Sequence, residues 1–182
     1  MHVKLKLRSE LPNILKGCNA SGLMVTHDPE EAMSICDKVA VMHEGKIHQI
    51  DTPLNLLNNP KTIFVSSFIL GNNVINLKKH GNSYISCLGE INCAEYLKNT
   101  NIKSMSISPK FISIKRSESG DAIVISKEFL GEFLIYKVTI DGSILRVKTD
   151  INNLLNNGDK CFLTINRNSY YFLYPGAHKV FM

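Results

Sequence analysis

The sequence predicts an α+β chain in two parts: a small α/β piece through about Ile69, then an antiparallel β-barrel or sandwich built from residues 72–182. Two observations carry that expectation. The first is a change of period at Gly71. Before it, short apolar runs alternate with capped helix signals; after it, period-two runs punctuated by Gly, Asn and Ser take over. The second is composition: 182 residues with 44% apolar and 20% charged side chains can bury one or two cores, which excludes a disordered tail, a collagen-like fibre or a coiled coil. Gly71-Asn72-Asn73 is the expected linker.

In the first part, Val3, Leu5 and Leu7 alternate like a strand, whereas Leu7, Leu11, Ile14 and Leu15 fall at helical spacing around an awkward Pro12, and the helix is the favoured reading. Gly22 then precedes Leu23-Met24-Val25-Thr26, an apolar run suited to a buried strand. Asp28 can cap a helix that begins at Pro29 and ends near Cys36, with Glu31 completing a capping box. His27 thus falls between a strand end and a helix start, where open α/β sheets bind phosphorylated ligands. Lys38–Met42 and Lys46–Ile50 flank His43-Glu44-Gly45 as a hairpin. Thr52-Pro53 starts a short helix through Leu57, and Lys61–Ile69 reads as another, with Ile63, Phe64, Val65 and Phe68 facing inward.

In the second part, strands are expected at Val74–Leu77, Ser83–Ser86, Met105–Ile107, Ile112–Lys115, Ala122–Phe129, Glu132–Ile140, Ser143–Thr149, Lys160–Ile165 and Tyr170–Leu173. Turns fall at His80-Gly81-Asn82, Ser119-Gly120-Asp121, Asp141-Gly142 and Asn157-Gly158-Asp159. Asp141-Gly142 between two alternating runs is a strong hairpin signal.

Several functions are disfavoured by the same residues. No run approaches the roughly eighteen apolar residues of a membrane-spanning helix, and the first six residues lack a signal-peptide core. Five cysteines (Cys18, Cys36, Cys87, Cys93, Cys161) without a C-x-x-C signal neither a disulfide framework nor a zinc site, so reduced thiols in a cytosolic protein are expected. Residues 1–71 carry seven Lys/Arg and seven Asp/Glu, while residues 72–182 carry fourteen against nine. The excess is scattered, with no basic stripe interleaved with aromatics, so nucleic acid is not an expected partner. His2, His43, His48, His80 and His178 lack ligand spacing and read as solvated surface. A metal or redox role for Cys87 with Cys93 is disfavoured, and Tyr170-Tyr171-Phe172 reads as core rather than as a stacking platform.

The string Val25-Thr26-His27-Asp28-Pro29-Glu30-Glu31-Ala32-Met33, followed by Asp37-Lys38-Val39-Ala40-Val41-Met42 and Gly45-Lys46-Ile47, resembles the switch-histidine region of ATP-binding-cassette ATPases. Thr52-Pro53, Asn59-Pro60, Phe64-Val65 and Phe68 are similar to the stretch that leaves the nucleotide-binding domain in importers of the maltose, polyamine, sulfate, molybdate and iron(III) types. Ile107-Ser108-Pro109-Lys110 stands where that family usually has Arg-Pro-Glu, and Asp51 where glycine is common; Glu128-Phe129-Leu130-Gly131 and Gly158-Asp159 match later landmarks. The resemblance implies that residues 1–71 are the C-terminal fragment of a P-loop α/β nucleotide-binding domain, followed over 72–182 by an OB-like barrel, the transport-associated (TOBE) regulatory domain.

The resemblance further implies that His27 contacts the γ-phosphate of ATP, while Asp28 is a cap. A lone histidine there would read as structural; the surrounding string reverses that. A neutral imidazole can donate to a phosphate oxygen from one nitrogen while the other is held by a neighbour. The sequence contains no G-x-x-x-x-G-K-[ST], no Ser-Gly-Gly-Gln and no apolar run ending in Asp-Glu, so the chain alone is expected neither to hydrolyse ATP nor to bind it tightly. It reads as a truncated or degenerate ATPase subunit, with ATP and Mg²⁺ the cofactors of the complete one. Implied partners are a second copy of the ATPase and integral-membrane permeases at the cytoplasmic face of the cell membrane, and the His-Asp-Pro-Glu-Glu-Ala-Met wording leans toward iron(III). The alternative is a standalone OB-like module that senses a small anion.

Overall fold

The computed structural model describes residues 2–92 and 101–182, with side chains from Glu10 onward; Cys93 lies outside the described residues. The chain divides into two compact units, Met1–Leu70 and Gly71–Met182, and it is richer in strand than in helix.

The first unit contains helices α1 (His2–Gly17), α2 (Pro29–Ile35), α3 (Pro53–Asn58) and α4 (Ile63–Leu70) around one hairpin, β1 (Val39–His43) and β2 (Lys46–Asp51). Helix α1 runs through Pro12, which withdraws one N–H, and ends with Cys18 N–H on the carbonyl of Ile14 at 3.0 Å. The β1–β2 turn has Glu44 at φ 48° and Gly45 at φ 73°, both in the left-handed region that a two-residue hairpin turn of primed type requires. A register shift between Val41 and Met42 puts an extra residue, His48, into β2. Val39, Val41, Leu56 and Val65 form the core of this unit, with Met33, Phe64 and Ile69 packed on it. The side chain of Gln49, 4% exposed, ties the hairpin to the loop before α4: its amide donates to the Asn59 carbonyl at 3.1 Å and its oxygen accepts Lys61 N–H at 2.9 Å.

Two expectations for this unit fail. Leu23–Thr26 is not a strand, and Leu23 and Val25 are 96% and 92% exposed. A strand needs a neighbour to take its backbone groups, and none of the described residues pairs with this run, so the only sheet of the unit is the antiparallel hairpin. Phe68 points outward at 43% exposure and stacks on Phe64, while Ile69 takes the inward place.

Among the described residues, the second unit contains three antiparallel sheets. One is ordered β11-β10-β9-β12-β8 and built from β8 (Ile112–Arg116), β9 (Ala122–Phe129), β10 (Phe133–Ile140), β11 (Ser143–Asp150) and β12 (Lys160–Ile165). A second is β14-β13-β7-β3, with β3 (Asn73–Asn76), β7 (Ser104–Ile107), β13 (Tyr170–Tyr174) and β14 (His178–Phe181); the third is the meander β4 (Lys78–His80), β5 (Ser83–Ser86) and β6 (Gly89–Asn92). In the five-stranded sheet, the edge strands β8 and β11 come alongside each other. Each edge is covered by an asparagine. The Asn73 side chain donates to the Arg146 carbonyl and accepts Arg146 N–H, both at 2.7 Å, and Asn153 donates to the Ile114 carbonyl at 2.9 Å. Inward residues alternate along each strand, as in Leu134, Tyr136, Val138 and Ile140, all at most 4% exposed. The Tyr136 hydroxyl donates to Asn153 O at 2.8 Å and accepts Leu155 N–H at 2.9 Å, pinning the 151–159 loop to the core.

The strands β4, β6 and β14 are absent from the sequence-based expectation. Lys78-Lys79-His80 is exposed throughout and carries no apolar alternation, β6 is short and opens on Gly89, and β14 is short and follows the turn that contains Gly176. Of the aromatic run read as core, Tyr171 and Phe172 are buried, as are Leu173 and Tyr174 after it, whereas Tyr170 is half-buried with its ring against Phe111 and Lys179.

Candidate functional site

His27 sits exposed at a bend between Thr26 and Asp28, directly before α2. Asp28 is in extended conformation, and its Oδ1 accepts Glu30 N–H at 2.9 Å and Glu31 N–H at 3.2 Å, which satisfies two of the helix's orphan donors. The Thr26 hydroxyl joins Asp28 to Glu31, accepting Asp28 N–H at 3.1 Å and donating to Glu31 Oε2 at 2.9 Å. The residues flanking His27 are therefore held on both sides while its imidazole faces solvent. Such an imidazole can donate to, or take a proton from, a ligand brought to it. The relay through Thr26 is absent from the sequence reading, although Thr and Glu five positions apart around a capping Asp is a signal that could have found it.

The other histidines are more structured than a solvated surface. His43 stacks on Phe64 with centroids 4.2 Å apart and 12° between planes, and His48 Nδ1 lies 3.3 Å from Thr62 Oγ1. A flat ring stacked on phenylalanine removes apolar area from water, and that packing holds the hairpin to α4. His80 is exposed and His178 half-buried, and the His2 side chain is outside the described set. Asp51, at the position where the resemblance expects glycine, stands just before Thr52, the N-cap of α3. It accepts from Asn55 Nδ2 at 2.8 Å and Thr52 N–H at 2.9 Å, and these two bonds hold its carboxyl below the usual range.

Among the described residues no group of three His, Cys, Asp or Glu side chains could hold a metal ion. Burial pushes the Cys87 thiol up, away from reactive thiolate character. No described helix is long and apolar enough to cross a membrane. In the second unit, an open cleft of about 370 Å³ is lined by Lys110, Lys148, Phe133 and Asn166 among others. Lys148 Nζ lies 3.5 Å from the Phe133 ring centroid, a cation–π contact, and Asn166 spends its amide on the Lys110 carbonyl at 3.2 Å. Ser108, in the place of the arginine, makes no side-chain cap to the turn Pro109–Phe111.

Comparison with known proteins finds import ATP-binding proteins among the relatives of this chain. The chain is 44% identical over 80 residues (44% of this chain, 24% of the relative) to the spermidine/putrescine import ATP-binding protein PotA of Bacillus thuringiensis (strain Al Hakam). It is 33% identical over 122 residues (66% of this chain, 34% of the relative) to the sn-glycerol-3-phosphate import ATP-binding protein UgpC 3 of Agrobacterium fabrum. PotA of Trichormus variabilis is 45% identical over 69 residues, 38% of this chain and 18% of the relative. No family model matches the chain. The chain is thus similar to ATP-binding subunits of ATP-binding-cassette importers, and it spans between 18% and 34% of the length of these curated relatives. None of the three is named for iron.

Proposed function

We propose that residues 1–71 are a C-terminal part of the nucleotide-binding domain of an ATP-binding-cassette importer ATPase, and that His27 is the group that contacts the terminal phosphate of ATP. The observation that carries this reading is the exposed His27 imidazole, held between the Thr26 and Asp28 hydrogen bonds, in a chain 44% identical to a PotA over 80 residues. For a terminal phosphate the residues present offer one fitting group. An imidazole N–H donated to a phosphate oxygen gains strength as charge develops during phosphoryl transfer, so its contribution is to turnover more than to binding. For Mg²⁺ and the remaining phosphates they offer no cradle, because the sequence carries neither the glycine-rich lysine loop nor the paired acidic residues. In a complete subunit ATP and Mg²⁺ would be held by those segments.

Residues 72–182 are read as an OB-like TOBE-type regulatory domain, a reading supported by the curling of the five-stranded sheet until β8 meets β11. The partners that follow are a second copy of the ATPase subunit and integral-membrane permeases, met at the cytoplasmic face of the membrane. The names of the relatives make a polyamine the first solute to test in uptake and iron(III) the comparison. The cleft beside Lys110 and Lys148 favours a second reading, in which the second unit senses a small anion without ATPase activity.

In a complete subunit carrying this segment, His27→Ala is expected to leave ATP binding within about twofold and to cut turnover about a hundredfold, the worth of one preorganised donor. Normal turnover in that variant overturns the assignment. Calorimetry of the 182-residue chain is expected to show no micromolar binding of Mg-ATP; binding of sulfate or phosphate, lost in Lys148→Ala, would instead support the anion-sensing reading.

A further inference from the structure

The hydrogen bonds around His27 close into a ring. The Thr26 side chain donates to the Glu31 side chain, Glu31 N–H donates to the Asp28 side chain, and Asp28 N–H donates to Thr26 Oγ1, at 2.9, 3.2 and 3.1 Å. His27 lies inside this ring by sequence and contributes no side chain to it. The Thr26 hydroxyl ties down the residue before His27, so the backbone is fixed on the near side of the imidazole as well as on the far side. A hydroxyl does this from a single atom, donating and accepting at once; valine has the same shape and does neither. The bond to Glu31 is charge-assisted when that carboxyl is ionised, which makes it the stronger member of the pair.

We propose that Thr26 and Glu31 are positioning residues for His27, acting as a hydrogen-bonded bracket that sets where the imidazole stands. The proposal rests on the reading of His27 as the phosphate contact. A donor must be placed closely to act on developing charge, and a displacement of about 1 Å can cost on the order of a hundredfold in rate. The bracket supplies that placement within a stretch that has no strand to anchor it.

The test compares Thr26→Val, Thr26→Ser and Glu31→Gln in two settings. In the 182-residue chain, amide exchange read by NMR is expected to speed up about tenfold at Asp28 in Thr26→Val and to stay at the parent value in Thr26→Ser. The second setting is a chimera in which residues 21–37 replace the equivalent segment of the Bacillus thuringiensis PotA. There Thr26→Val is expected to lower kcat about tenfold with KM for ATP within about twofold, serine to restore it, and Glu31→Gln to cost about threefold, since glutamine still accepts but carries no charge. Parental kcat in Thr26→Val beside an inactive His27→Ala overturns the positioning role and leaves the phosphate contact standing. Full activity in His27→Ala overturns the phosphate contact itself, and unchanged exchange at Asp28 in Thr26→Val overturns the bracket independently of it. Failure of serine to rescue likewise overturns the role assigned to the hydroxyl.

Discussion

Leu23–Thr26 and Ile112–Arg116 read alike as apolar strand-formers, yet only the second is a strand. Residues Ile112–Arg116 pair with Cys161–Ile165 over five registered positions, and Ile112 and Ile114 are 1% and 5% exposed. Leu23 and Val25 stand almost wholly in water, because no described segment offers an edge to them. Intrinsic preference makes a run suited to a sheet, and a partner decides whether there is a sheet. The contrast extends to the two units. Among the described residues the first buries Val39, Val41, Leu56 and Val65 around its hairpin, whereas the rest of the buried apolar set lies in the second unit. The second unit closes a continuous core, whereas the bonds described around His27 in the first are local ones among Thr26, Asp28, Glu30 and Glu31.

The comparison is broken most severely by opening the larger core. Leu145→Ala removes a fully buried side chain from the five-stranded sheet and is expected to cost about 2–5 kcal/mol in a urea titration followed by tyrosine fluorescence. A loss below about 1 kcal/mol would mean that the core is not packed as described.

A smaller effect separates the units by pH. Cys161 is fully buried, and burial first, then the carboxylates of Asp121 and Asp159, push its thiol from an ordinary 9.0 up to about 11. The folded state therefore keeps the proton more tightly than the unfolded state. Its contribution is complete below pH 9.0 and is lost as pH climbs from 9.0 toward about 11. The melting temperature of the second unit should fall across that interval, and Cys161→Ala should flatten the fall; an identical slope in the variant would remove Cys161 as its source. The exposed Cys18 should react with a maleimide at once, while Cys161 reacts only on unfolding.

The smallest effect sharpens the contrast at its other end. Leu23→Ser with Val25→Ser should change stability by less than about 0.5 kcal/mol, since neither side chain is packed, while lowering binding of an apolar dye and self-association seen by light scattering. A large loss of stability would show that this run is buried in solution.

Much of the second unit is legible because its strands carry both alternation and turn residues. Asp141 and Gly142 take φ of 46° and 70°, as a two-residue hairpin turn between alternating runs requires, and β10 and β11 pair directly across it. The strands Lys78–His80 and His178–Phe181 were illegible for the opposite reason: they exist because a neighbour pairs with them, and neither run has a buried alternation to show. At the candidate site, the place of His27 directly before a helix start and the cap at Asp28 were legible from the capping chemistry. The Thr26–Glu31 bond had only the spacing of Thr and Glu around a capping Asp to signal it, and the bend at His27 decides that it forms, at 2.9 Å.

By itself the sequence determined what is local: the helix start at Asp28-Pro29, the glycine turns at Gly45 and Gly142, and the period-two runs that become β8 to β12. These follow from steric and hydrogen-bonding preferences that act within a few residues. The tertiary structure alone decided that Leu23–Thr26 has no strand partner, that Phe68 turns outward while Ile69 packs, and that Asn73 and Asn153 cover the two sheet edges. Those outcomes depend on which distant segment arrives beside a run, and hydrophobic burial and backbone pairing are properties of that arrival rather than of the run itself.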